Sequence, residues 1–379
     1  MINVPLRVLM VLDGLDVGGT ETHVASLAEE MIRRGNYVVI LSRGGSLLNQ
    51  VKQLGCPVYH IDFPYNLNIE DELQYEHVEK IKKIMQLENI NLVHGHQTPS
   101  AFLSFLAAKE QNIPTVFTVH GTYYSRPELL KVLPLSSRIV CVSLPIQQFI
   151  ARLTGQNGTV IANGIDLNEY SSIDSSKLKK ELGIPDHAQV LVYSSRLAWG
   201  KATVCMTFLR ACKDLKLTTQ PELQVVVVGG GPRIGEIKEI ASSIHQTTKE
   251  PFIHILGEKY DMQRYYSLAD CVVGTGRIAL ESMACGKPVI AAGSHGYFGI
   301  VDAENFEEAW HCYFGDHGSR QPCSRYIFAQ DIRVLFSSED KLKKAGEESR
   351  EWMQRDFNIQ FRADNLLDLY QSVLKGDSL

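Results

Sequence analysis

The run over residues 274–290, GTGRIALESMACGKPVI, holds the densest set of side chains and turns able to do chemistry. Gly274, Thr275 and Gly276 leave backbone amides open where a helix should start, which suits an anion. Glu281 follows one to two turns into that helix, where a carboxylate can accept both vicinal hydroxyls of a ribose. Arg277 lies between them and can reach the same ligand. Ala279, Ala284 and Gly286 are small and permit close helix-to-sheet packing. Cys285 reads as a packing residue, because no base accompanies it.

A second set stands upstream. Arg196 and Lys201 lie in SRLAWGK, directly after the apolar run QVLVYSS. A guanidinium fork and an ammonium point charge at a strand end suit a diphosphate, and equally suit a solvated loop. They could offset the charge that builds on a departing nucleotide diphosphate. Gly229, Gly230 and Gly231 follow VVVV. A dinucleotide fingerprint would need glycine at 234, and Ile234 stands there, so the loop reads as close backbone approach to a nucleotide or as a plain turn.

The N-terminal half has its own candidates. Gly18 and Gly19 open a helix after the first apolar run, either as a tight turn or as an anion seat. His120 ends the run TVFTV, where an imidazole can face a ligand or satisfy the core. His94 and His96 lie two apart on one strand face, with no third metal ligand evident. No metal site and no cofactor are expected.

These residues need a frame that places strand ends together. Apolar runs at 6–12, 37–41, 58–61, 92–94, 115–119 and 139–142 alternate with amphipathic stretches at 22–34, 75–86 and 101–111. The rhythm breaks after NGID at 163–166 and restarts with strands at 189–194, 223–229, 252–256, 271–273 and 289–292. Helices fit at 203–215 and 235–243, and a long helical region covers 338–374. Strands alternating with helices imply parallel β-α-β units and an α/β fold with two Rossmann-like lobes facing a central cleft. Ligands of such sheets bind beyond the carboxyl ends of the strands. The predicted domains are 1–167, 168–355 and a C-terminal segment at 356–379.

Composition narrows the classes. With 379 residues, 44% apolar and 21% charged, the chain is large enough for two packed cores. A net charge of −5 provides no basic stripe, so no nucleic-acid partner is expected. The eight cysteines form no C-x-x-C pair or zinc spacing, which fits a reducing compartment; Cys312 and Cys323 flank a loop and could approach each other. The stretch INVPLRVLMVLDGL is too short for a membrane span and lacks a cleavage pattern. A soluble, cytoplasmic chain is expected, with peripheral membrane contact left open.

Taken in order, VGGTETHVASLAEEMIRRGNYVVIL, LVHGHQTPSAFLSFLAAKEQNIPTVFTVHG, VIANGIDLNEY, SRLAWGK, VVVVGGGP and ALESMACGKPVIAAG resemble the retaining glycosyltransferases of GT-B architecture, family 4. The resemblance spans nearly the whole chain. It implies a sugar moved from a nucleoside-diphosphate sugar, UDP-sugars favoured, to a hydroxyl acceptor with retention and without a metal. The first lobe would take the acceptor and the second the nucleotide sugar. The last helix would cross back onto the first lobe. By position, Gly18 and Gly19 match the glycine loop near donor phosphates and acceptor, and His120 the histidine beside the transferring sugar. Arg196 and Lys201 match the pair on the diphosphate. Glu281 matches the second glutamate of the E-x7-E motif, which holds the ribose.

The first glutamate of that motif falls on Val273, and its usual loop is shortened to VVGTGR. Thr275, Arg277, His295 and Tyr297 are the candidates to meet the donor sugar instead. Two other readings stay open: a sugar-nucleotide epimerase of the same architecture, and a non-catalytic nucleotide-sugar-binding accessory subunit. A phosphorylase would need a pyridoxal-binding lysine, which nothing marks, and an NAD oxidoreductase is disfavoured by the broken glycine fingerprint. Segments 65–76 and 123–134 would shape the acceptor site. Neither reads as a basic amphipathic helix, which favours a soluble acceptor.

Overall fold

The computed structural model describes residues 6–376; residues 1–5, the start of the N-terminal apolar stretch, and 377–379, the end of the C-terminal segment, lie outside the described residues. The chain divides into two compact units, Met1–Gly164 with Ile359–Leu379, and Ile165–Asn358.

The strands of the first unit are β1 (Arg7–Val11), β2 (Tyr37–Ser42), β3 (Val58–His60), β4 (Leu92–Gly95), β5 (Thr115–Val119), β6 (Arg138–Cys141) and β7 (Thr159–Val160). Between them run α1 (Gly19–Arg33), α2 (Leu48–Gln53), α3 (Asp71–Leu87), α4 (Ser100–Glu110), α5 (Arg126–Val132) and α6 (Leu144–Thr154). Among the described residues the strands form one parallel sheet in the order β3-β2-β1-β4-β5-β6-β7. Every residue of β4 and β5 is buried, because helices cover both faces of the sheet. Val8 and Met10 of β1 face one core, with Leu27 and Met31 of α1. Leu9 and Val11 face the other, with Phe105 of α4.

The second unit holds α7 (Ser176–Leu182), β8 (Gln189–Ser194), α8 (Trp199–Lys216), β9 (Leu223–Val228), α9 (Ile234–Thr248), β10 (Ile253–Gly257) and α10 (Met262–Leu268). It continues through β11 (Cys271–Gly274), α11 (Arg277–Ala284), β12 (Val289–Gly293), β13 (Gly296–Val301), α12 (Phe306–His311), α13 (Arg325–Leu335) and α14 (Glu339–Trp352). The sheet order is β10-β9-β8-β11-β12-β13, parallel except where β13 runs antiparallel to β12. β9, LQVVVV, is buried from end to end. Each fully buried valine there contributes roughly 1.5–3 kcal/mol relative to exposure. Ser324 and Ser338 cap α13 and α14, each accepting a backbone N–H three residues on.

The stretch at 338–374 is two helices rather than one region. α14 widens into a π turn, Met353–Phe357, and Asn358 is extended and bridges Ile165. α15 (Ile359–Lys375) then belongs to the first unit. Its Leu366, Leu369 and Tyr370 join the core that holds Val8 and Met10. The Tyr370 hydroxyl is bonded to His94 Nδ1 at 2.5 Å, and Arg34 donates to the Gln360 carbonyl at 2.7 Å.

Candidate active site

Each sheet reverses its winding once, between β1 and β4 in the first unit and between β8 and β11 in the second. Open parallel sheets bind ligands at such switch points, beyond the strands' carboxyl ends. Gly18, Gly19, His96 and His120 follow the first set of strands. Arg196, Lys201 and the turn from Gly274 to Gly276 follow the second.

In the second unit the loops pack so tightly that backbone stands against backbone. Gly229 has φ +143°, and a Cβ on it would lie 1.9 Å from the Ser195 carbonyl oxygen. The Gly230 carbonyl accepts from Leu197 N at 2.7 Å, which ties the end of β9 to the SRLAWGK loop. Arg233 braces the same loop, donating to the Trp199 carbonyl at 2.8 Å and to Thr203 Oγ1 at 3.0 Å. Arg196 is exposed and lies 5.5 Å from the ring of Trp199, itself 76% exposed. Lys201 is half-buried, and its Nζ lies 2.9 Å from Asp316 Oδ2. These two cations therefore differ: among the described residues no carboxylate pairs with Arg196, whereas Asp316 pairs with Lys201.

Glu281 is not an open seat. Its side chain is buried; Oε1 receives Arg277 Nε at 2.7 Å and Oε2 receives the Tyr266 hydroxyl at 2.9 Å. Arg277, expected to reach a ligand directly, is buried with it. A carboxylate oxygen can accept from more than one donor. Thr275 is buried too, and its hydroxyl donates to the Phe314 carbonyl at 2.8 Å. Val273 is fully enclosed in β11, paired with Tyr193 and Ile290, so this strand offers no carboxylate at that position.

Tyr297, a candidate for the donor sugar, is turned into the core: it lies in β13, is 1% exposed, packs edge-on against Phe328 and donates to Asp331 Oδ2 at 2.8 Å. The three glycines of residues 293–301 allow this segment to pack closely as it forms a strand. His295 remains exposed. Cys312 and Cys323 are free thiols.

The first unit gathers a polar cluster around four histidines. His96 Nδ1 lies 3.1 Å from His120 Nε2, and the His23 and His120 rings are 5.5 Å apart. The His94 and His96 rings lie 3.9 Å apart at a tilt of 42°, and His94 is bonded to Thr118 Oγ1 at 2.7 Å. Burial holds His94 near a pKa of about 3 and pushes His96 well below the usual histidine range. The Tyr124 hydroxyl donates to the His96 carbonyl at 2.8 Å and accepts from His120 N at 3.4 Å. Among the described residues no group of His, Cys, Asp or Glu is arranged to hold a metal ion.

Sequence reasoning missed the groups beside Gly18 and Gly19. Gln97 accepts from Asp13 N at 2.8 Å and donates to Glu21 Oε1 at 2.5 Å, while Ser100 N donates to Asp13 Oδ1 at 2.9 Å. Burial raises the pKa of both Asp13 and Glu21. The available signal was position: Asp13 lies just past the first apolar run, and Glu21 opens α1. A cavity of about 800 Å³ lies at the opposite end of this sheet, lined by Asn91, Lys109, Ser137 and Lys375, and includes none of these groups.

The comparisons agree with this architecture. Residues 17–169 match the profile described as Glycosyltransferase Family 4, and residues 174–352 match Glycosyl transferases group 1. The chain is 23% identical over 385 residues to N-acetyl-alpha-D-glucosaminyl L-malate synthase of Bacillus anthracis, covering 95% of this chain and 96% of that one. A crystal structure of a glycosyltransferase from Rickettsia africae ESF-5 superposes with a TM-score of 0.80 at 20% identity, over 98% of this chain and 99% of that one. HepE of Anabaena, crystallised with UDP and glucose, superposes with a TM-score of 0.77 at 20% identity, over 97% and 100%. Among the described residues no helix is long and apolar enough to cross a membrane. The chain has the GT-B fold and belongs to the family 4 type of glycosyltransferases, glycosyl transferases group 1.

Proposed function

We propose that this glycosyltransferase moves a sugar from a UDP-sugar to a hydroxyl acceptor, with retention at the anomeric carbon. The observation that carries this reading is the placement of Arg196 and Lys201 beyond β8 beside the switch point, with the glycine turn of Gly274–Gly276 beyond β11. A diphosphate leaving group needs positive charge and free amides where its own charge develops. The two cations and the start of α11 supply both, so we assign no step to a metal. The UDP bound by HepE supports uracil as the base.

In this assignment Arg196, Lys201, Gly230 and the amides of Gly274, Thr275 and Gly276 hold the diphosphate. Glu281 takes the ribose hydroxyls, kept in place by Arg277. The first unit takes the acceptor, with Gly18 and Gly19 close to it and His120 beside the transferring sugar. Departure of the diphosphate leaves an oxocarbenium-like carbon, and the acceptor hydroxyl attacks from the same face. The leaving diphosphate oxygen takes the acceptor proton, so no side-chain base is assigned.

The test combines calorimetric titration with UDP and UDP-sugars, an acceptor screen read by mass spectrometry, and proton NMR of the product's anomeric coupling. Binding, transfer in the presence of EDTA and retained anomeric configuration are expected. An altered donor sugar formed without acceptor would mean epimerisation. Tight binding with neither transfer nor hydrolysis would mean an accessory role.

A further inference from the structure

The segment after α12 is held in a conformation that side chains rarely adopt. Tyr313 and Phe314 both have positive φ, 48° and 56°, and Gly315 follows at 87°. Two consecutive non-glycine residues in the left-handed region cost on the order of 1–3 kcal/mol each and persist only where the surroundings enforce them. Here the enforcement is visible. Thr275 Oγ1 donates to the Phe314 carbonyl at 2.8 Å, and His295 N donates to the Gly315 carbonyl at 3.1 Å. Gly293 leaves no room for a side chain, since a Cβ there would lie 2.5 Å from the Gly315 oxygen. The ring of Tyr313 stacks on His317 at 4.6 Å.

What this turn delivers is the carboxylate of Asp316. Its Oδ2 meets Lys201 Nζ at 2.9 Å and its Oδ1 accepts from Ser294 N at 3.4 Å. Burial pushes the carboxyl up, but the Lys201 ammonium outweighs it, and Asp316 is held below the usual carboxylate range. The side chain is 22% exposed, so part of it stays open to a ligand. Asp316 thus offers hydrogen-bond acceptors only, fixed beside the cation assigned to the diphosphate and tied through Thr275 to the glycine turn.

We propose that Asp316 is the specificity-determining residue for the donor sugar: it accepts hydroxyl groups of a neutral hexosyl unit and repels a uronate. This rests on the nucleotide-sugar reading above. Lys201 bridges the two charges, one face toward the diphosphate and one toward Asp316. A neutral sugar places hydroxyl donors against the carboxylate. A sugar bearing its own carboxylate brings like charges together in a half-buried site.

The experiment measures binding of UDP, UDP-glucose and UDP-glucuronate to the full chain by calorimetry, for the wild type, Asp316→Asn and Asp316→Glu. The wild type should prefer UDP-glucose over UDP-glucuronate by roughly tenfold or more, the size expected of one charge-assisted contact. Asp316→Asn should bind UDP at least as tightly as the wild type, because Lys201 loses its competing carboxylate, and should lose most of that preference; Asp316→Glu should retain it. Equal or tighter wild-type binding of the glucuronate overturns the proposal without any variant. An unchanged preference in Asp316→Asn, with UDP still bound, overturns it and leaves the nucleotide-sugar reading standing. Failure of the wild type to bind all three ligands removes both.

Discussion

Arg277 and Glu281 stand one helical turn apart in α11, with Arg277 Nε 2.7 Å from Glu281 Oε1 and both side chains closed to solvent. A buried pair of this kind adds little net stability, but losing one member strands a charge in a low-dielectric interior. Glu281→Ala should destabilise the second unit by about 3–5 kcal/mol, and Arg277→Met together with Glu281→Leu by clearly less. Urea unfolding of the two variants checks the order. The double variant should fold yet bind UDP weakly, since the carboxylate assigned to the ribose is gone. Equal destabilisation by both would mean that the pair is not coupled as the geometry indicates.

Arg196 is exposed, so its replacement should leave stability within about 0.5 kcal/mol of the wild type. Transfer should nonetheless fall. A charge-assisted contact to a diphosphate contributes about 1.5–3 kcal/mol, so Arg196→Ala should lower kcat/KM by roughly 10- to 100-fold. Lys201→Ala should show a similar kinetic loss, and it also frees Asp316 from its partner. Steady-state rates on folded protein decide the matter, with wild-type turnover in both variants removing the diphosphate assignment.

Gly229 is where the end of β9 meets the loop after β8. Its φ of +143° and the 1.9 Å approach to the Ser195 oxygen leave no place for a methyl group. The opposing atom is backbone, so it cannot swing aside. Gly229→Ala should cost more than 2 kcal/mol and weaken UDP binding by shifting the SRLAWGK loop. Gly235→Ala is the control, since its Cβ would meet nothing within 4 Å. It lies inside α9, where alanine is the better helix former, and should be neutral or slightly stabilising.

The fold was largely readable because buried parallel strands announce themselves as apolar runs, as in LQVVVV of β9. Helix starts were less so. α1 begins at Gly19 and α8 at Trp199, both a few residues before the amphipathic pattern, because glycine and a positive-φ tryptophan hide the first turn. Arg196, Lys201 and Glu281 could be picked out because each lies within a short motif next to a strand. Asp316 could not. It follows no strand directly, and only the strained turn from Tyr313 to Gly315 brings it to Lys201, more than a hundred positions away. The direction of Tyr297 could not be read either. Nothing in its short glycine-containing segment shows which way the ring faces, and antiparallel pairing with β12 turns it into the core.

His94 and His96 make the first unit sensitive to acid. Both imidazoles are fully buried and held neutral, His94 with a pKa of about 3 and His96 well below the ordinary value. In the unfolded chain each takes up a proton near pH 6.5. Below that pH the unfolded state binds more protons than the folded one, so stability is complete above pH 6.5 and falls as the pH drops toward 3. Each imidazole removes about 1.4 kcal/mol per pH unit over that window. The stability reported by hydrogen-exchange protection of β4 amides should therefore decline steeply between pH 6.5 and 5. His94→Gln removes one titrating group while keeping polar atoms near Thr118 and Tyr370, and should make that decline shallower by one proton's worth. The same slope in the variant and the wild type would show that His94 titrates alike in both states, contrary to its burial between β4 and α15.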